Sequence, residues 1–91
     1  MAEAPVRSRL EAIVINFKDG FTVYHDIKMI RLKGKDINLL IMEDYMPTLG
    51  EIDGRVEIIG AENIILENVS GFFVIKNNVF KLLEKEKTYA Q

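Results

Sequence analysis

Apolar and polar residues alternate on both sides of Asn77-Asn78, through Ser-Gly-Phe-Phe-Val-Ile-Lys-Asn-Asn-Val-Phe-Lys-Leu-Leu-Glu from Ser70 to Glu84. A period of two is the signature of pleated strand. Asn accepts positive φ more readily than most residues with a side chain, and a two-residue hairpin turn requires positive φ. With Asn77-Asn78 at the tip, Lys76 pairs with Val79, Ile75 with Phe80, Val74 with Lys81 and Phe73 with Leu82. One face of this hairpin is then Phe73, Ile75, Phe80 and Leu82. The other mixes Phe72, Val74 and Leu83 with Lys76 and Lys81. A lone hairpin is marginal in water, so the dry face needs a second layer from the rest of the chain.

Earlier segments have the same character. Arg9 to Phe17 reads as a strand, with Leu10, Ala12, Val14 and Asn16 opposite Glu11, Ile13, Ile15 and Phe17. Lys18-Asp19-Gly20 is a turn, because Asp-Gly supplies the required backbone freedom. Phe21 to His25 is a short strand and Asp26 a bend. Ile27 to Lys33 alternates Ile27, Met29 and Arg31 against Lys28, Ile30 and Leu32, and Gly34-Lys35-Asp36 closes it. Ile37 to Met42 is a buried-strand candidate. Pro47 marks an edge or a bend, since it cannot donate to a sheet ladder. Glu51 to Gly54 reads as a turn, Arg55 to Ile59 as a strand, Gly60 to Glu62 as a turn, Asn63 to Glu67 as a strand, and Asn68 to Ser70 as a turn into the hairpin. No long window carries helical periodicity. Short strands with frequent turn signals predict an all-β sandwich or barrel. The expected organisation is a leader over 1–8, a β domain over 9–84 and a charged tail over 85–91.

Composition narrows the function classes. The 91 residues suit one domain, and 48% hydrophobic content suffices for a modest core. The absence of cysteine excludes a disulfide scaffold, a thiolate metal site and a cysteine nucleophile. A formal net charge of -2, with both signs scattered, provides no basic field for nucleic-acid phosphates. No apolar run approaches a membrane span, so direct membrane insertion is not expected. A cytoplasmic protein is expected, with attachment to a membrane complex left to another chain.

Candidate chemistry is sparse. His25 is the sole histidine, flanked by Tyr24 and Asp26, and no Ser or Cys lies in a nucleophile context. A strand-end histidine at a bend is the simpler account. Glu43 and Asp44, with Glu51 or Asp53, lack the ligand spacing of a calcium loop and suit a solvated or protein-contacting loop better. Lys28, Arg31, Lys33 and Lys35 form a basic cluster too small for DNA, and no glycine-rich phosphate loop occurs. No cofactor is expected. Phe72, Leu83, Val74 and Tyr24 fall on the wetter strand faces. Either they gather into a docking patch or the sandwich covers both faces.

Three stretches carry a family resemblance. Ile13 to Leu32 sets a strand, an Asp-Gly turn, a short apolar strand and an alternating strand in succession. Leu40 to Ile58 holds an apolar strand, then Pro47, then Gly54, Val56 and Ile58 in a Gly-x-Val-x-Ile run. Val69 to Leu83 holds the Ser-Gly-Phe-Phe-Val hairpin. In order and spacing these resemble the N-terminal β-sandwich domain of the epsilon subunit of the F-type rotary ATP synthase. The likeness spans Leu10 to about Glu84. The sequence departs from the family at Glu43-Asp44-Tyr45, where the family has Pro-Gly-His. It departs again at Lys35 to Leu40, where the family has a glycine-rich acidic loop, and at Phe72, where it has glycine.

The resemblance implies a compact all-β sandwich of about ten short, mostly antiparallel strands in two sheets. It implies a non-catalytic central-stalk subunit of a proton- or sodium-translocating ATPase. Such a subunit docks a gamma-type shaft and the membrane rotor ring, and is peripheral to the inner face of the cell membrane through that complex. The ring-side residues it implies are Lys35, Asp36, Asn38, Glu43, Asp44 and Tyr45. Phe72 and Leu83 are the shaft-side expectation, from the exposed-apolar argument. A chain ending at Gln91 is expected to lack the family's inhibitory helical arm and its ATP site. The alternative is a free-standing β-sandwich that binds an unrelated protein.

Overall fold

The computed structural model describes residues 8–16, 18 and 20–85. Seven strands follow one another: β1 (Glu11–Asn16), β2 (Gly20–Tyr24), β3 (Ile27–Gly34), β4 (Asn38–Ile41), β5 (Thr48–Gly60), β6 (Asn63–Lys76) and β7 (Val79–Glu84). They form one mixed sheet in the order β2-β1-β7-β6-β5-β3-β4. Every pairing is antiparallel except β1 with β7, which is parallel. No helix occurs among the described residues.

The closing hairpin has the predicted register. Lys76 faces Val79, Ile75 faces Phe80, Val74 faces Lys81 and Phe73 faces Leu82. Asn77 and Asn78 sit at φ 52° and 65°, the doubly left-handed backbone that a right-twisted hairpin prefers. Phe73 and Phe80 stack with ring centroids 5.9 Å apart.

Two expected turns are instead parts of long strands, and seven strands in one sheet stand where the resemblance implies about ten in two sheets. Glu51 to Gly54 lies within β5, and Asn68 to Ser70 lies within β6. Between the pairs Gly54–Val69 and Val56–Leu66, β5 has only Arg55 while β6 has Glu67 and Asn68. This is a bulge, with Asn68 at φ 56°. The extra residue reverses the facing of β6. Ile64 and Leu66 point to the core before it, and Val69, Phe73 and Ile75 after it. A turn signal in sequence is thus a strand bend in space.

A second bulge corrects the facing of β3. Ile27 pairs with Gly60 and Met29 with Ile59, leaving Lys28 unmatched. Ile27 therefore joins Ile30 and Leu32 in the core rather than facing outward with Arg31. The predicted turn at Lys18-Asp19-Gly20 includes Asp19, and the expected end of the first strand is Phe17; both lie outside the described residues. So do 1–7 of the expected leader and 86–91 of the expected tail.

The sheet curls over itself. In a flat sheet β1 and β3 stand four positions apart, roughly 19 Å. Yet the Ile27 N–H donates to the Leu10 carbonyl at 3.2 Å. Curling closes the concave side around a single core drawn from β1, β3, β4, β5, β6 and β7. No polar or charged side chain is buried among the described residues.

Candidate functional site

The convex side of the sheet is where the two ends of the molecule differ. Across β2, β1, β7, β6 and β5 the outward residues fall in two rows. One runs Phe21, Ile15, Leu83, Phe72, Glu51; the other runs Val23, Ile13, Lys81, Val74, Leu49. Each neighbour in a row is a direct cross-strand pair, so the side chains are contiguous. Leu49 is 80% exposed, Phe21 69%, Phe72 47% and Leu83 41%. The rows span five strands, roughly 19 Å. Their six exposed large apolar residues offer on the order of 500 Å² of apolar surface, the size of the largest patch on a typical monomer, which is often functional.

The outward side of the other end is charged. There the row through β4, β3, β5 and β6 is Leu40, Arg31, Glu57, Ile65, and its neighbour is Asn38, Lys33, Arg55. Arg55 Nε lies 3.3 Å from Glu57 Oε2 and makes a charge contact without hydrogen-bond alignment. The molecule therefore presents one mostly apolar outer face and one on which charged residues lie between the exposed Leu40 and Ile65.

Phe72 and Leu83, expected on sequence grounds as shaft contacts, are a direct pair at the centre of the apolar face. The Lys85 ammonium sits 4.7 Å from the Phe72 ring centroid and 3.4 Å from Glu51 Oε1, closing one edge of the face. Val74 lies on the face too. Tyr24 does not: it is half-buried and packs against the core. Sequence reasoning passed over Phe21, Ile13, Ile15, Val23 and Leu49 as face members. Their signal was present in the alternation, but only strand order brings β2, β1 and β5 to either side of the hairpin.

The six residues expected on the ring side divide into two groups. Lys35 and Asp36 form the β3–β4 turn, with Asn38 opening β4. Glu43, Asp44 and Tyr45 lie on the loop after β4, so the groups are separated by its four residues, roughly 14 Å. Tyr45 packs against the core. Glu43 and Asp44 are held by Arg9, whose Nε donates to Glu43 Oε2 at 2.8 Å. Its Nη2 donates to both Asp44 carboxylate oxygens at 2.9 Å. Asn78 Oδ1 accepts from the Asp44 N–H at 2.6 Å, and Asn78 Nδ2 returns a bond to Asp44 Oδ1 at 3.2 Å. The hydrogen bonds from Arg9 hold the Glu43 carboxyl below its usual range, and Glu43 and Asp44 raise the Arg9 guanidinium. This cluster pins the chain entering β1, the β4–β5 loop and the β6–β7 turn together.

His25 stands where the chain leaves β2, with Nδ1 2.9 Å from Glu11 Oε2. It borders an open depression of about 200 Å³ whose other lining includes Val23, Ile27, Ile58, Ile64 and Glu62. No group of three or more acidic, histidine or cysteine side chains is placed to hold a metal ion among the described residues. Nor is any described helix long and apolar enough to cross a membrane. No protein-family model matches the chain, and no curated protein matches it either.

Proposed function

We propose that this protein is a non-catalytic coupling subunit of the central stalk of an F-type rotary ATP synthase. The curled sheet is taken as a variant of the epsilon-type β-sandwich, with its long strands passing through both layers. The apolar outer face is the seat for a gamma-type shaft subunit. The observation that carries this reading is the contiguity of Phe21, Ile15, Leu83 and Phe72 across four neighbouring strands. Exposed apolar surface of that extent is costly in water and is stabilised by a partner that covers it.

The rest of the fold suits a mechanical role. A close-packed interior transmits strain instead of absorbing it, and the hydrogen-bonded ladder is continuous from β2 to β4. Because Arg9 engages Glu43 and Asp44, the ring contact is assigned first to Lys35, Asp36 and Asn38 at the other end of β4. The complex would hold the protein at the inner face of the membrane without a span of its own.

Co-purification with a co-expressed gamma-type subunit tests the reading. Phe72→Asp and Leu83→Asp are expected to abolish the association while the far-ultraviolet circular dichroism stays that of the wild type. Undiminished association of both variants removes this face from the proposal. A wild-type chain that never binds the shaft leaves the free-standing interaction module as the better account.

A further inference from the structure

The apolar face carries a charge imbalance that specifies what covers it. Of the acidic groups beside it, Glu51 is engaged by Lys85, and Glu11, at its margin, by His25. Lys76 and Lys81 are exposed and make no hydrogen bond or ion pair with any described residue. Lys76 is paired with Val79, and Val74 with Lys81, so the two lysines stand diagonally across two valines. Together with Asn77 these four residues line a shallow depression of about 430 Å³. Its two valines make it a socket of apolar character, with an ammonium group on either side.

Covering that socket removes water from both ammonium groups. The loss is unfavourable unless each meets a carboxylate, and a basic surface would be repelled. Resting on the shaft-docking reading above, we propose that the surface seated here is an apolar side chain flanked by Asp or Glu residues, which meet Lys76 and Lys81. A second copy docking through this same face offers no such surface, because that face carries the same two lysines and its Glu51 and Glu11 are engaged. Two free lysines on a chain of net charge -2 are also too few to hold a nucleic-acid backbone.

The full chain, expressed in cells of its source with a photo-cross-linking residue in place of Phe72, provides the test. A parallel sample receives a carbodiimide, which joins amines only to carboxylates in contact. Lys85 with Glu51, 3.4 Å apart, is the internal control. Lys76 or Lys81 joined to an Asp or Glu of the gamma-type subunit, within the segment that the position-72 probe reaches, supports both proposals. The same bond to a carboxylate of a different protein supports the socket and defeats the shaft reading. A protein captured at position 72 with neither lysine joined to a carboxylate overturns the socket, whichever protein it is. Capture of lipid or of nothing at position 72, with flotation on phosphatidylglycerol vesicles, overturns it too. The double variant Lys76→Glu/Lys81→Glu is expected to fold normally and bind the captured partner about tenfold more weakly, most clearly at low salt. Unchanged affinity at low salt counts against the socket.

Discussion

Phe80 shows what a single side chain contributes to this molecule. It is fully buried, stacks on Phe73 and lies opposite Ile75 in the closing hairpin. Phe80→Ala should cost roughly 3–5 kcal/mol, measured by urea unfolding, because the surrounding sheet is hydrogen-bonded and collapses only partly into the void. Asn68 acts through its backbone. At φ 56° a β-branched side chain is strained, so Asn68→Val should destabilise by roughly 1–3 kcal/mol, whereas Asn68→Gly should be tolerated. Arg9 acts through charge. The folded-state pKa of Glu43 lies below its unfolded value near 4.5, so the contribution of the pair is present above that pH. It is lost as the pH falls through the depressed value. In thermal melts Arg9→Met should therefore lie below the wild type at neutral pH, and the gap should close as the medium is made acid.

At the level of elements, glycines allow strands to approach where a side chain would collide. A Cβ on Gly71 would lie 2.1 Å from the Leu83 carbonyl oxygen, a backbone atom that cannot rotate away. Gly71→Ala should cost roughly 1–3 kcal/mol or more and loosen β6 from β7 near Glu84. Faster hydrogen exchange at the β7 end of that ladder is the measurement. Gly54 plays the same part between β5 and β3, where an added Cβ would meet the Lys33 carbonyl at 2.3 Å. The element-scale readings of the hairpin were correct to the residue, because its turn and its alternation are local. The readings at Glu51–Gly54 and Asn68–Ser70 were not, because Gly and Asn mark a chain reversal and a strand bulge with the same letters. Which of the two forms is decided by whether a neighbouring strand continues the ladder.

For the whole molecule the decisive feature is the difference between the two outer faces. Both are built from the outward residues of neighbouring strands, yet one is mostly apolar and the other mixes charged residues with Leu40 and Ile65. A test of the whole-molecule claim compares Phe72→Asp with Ile65→Asp, both at exposed apolar positions on opposite outer faces. Association with the proposed gamma-type partner should fail only in the first, and both variants should melt close to the wild type because neither residue is buried. The apolar face was legible only in part. Phe72 and Leu83 were visible because they share one hairpin. Their partners Phe21, Ile15 and Leu49 were not, since the parallel pairing of β1 with β7 joins residues nearly seventy positions apart, as in Ile15 with Leu83.

By itself the sequence determined the all-β character, the closing hairpin with its register, and the alternation that sets Leu10, Ala12 and Val14 on one side of their strand. These follow from period and turn chemistry, which act over a few residues. Tertiary structure alone decided the strand order, the two bulges that reverse facing, the capture of Glu43 and Asp44 by Arg9, and the joining of separate half-exposed strands into one apolar face. Those depend on which distant segment completes each hydrogen-bonded edge, and the chain settles that only as it closes around its core.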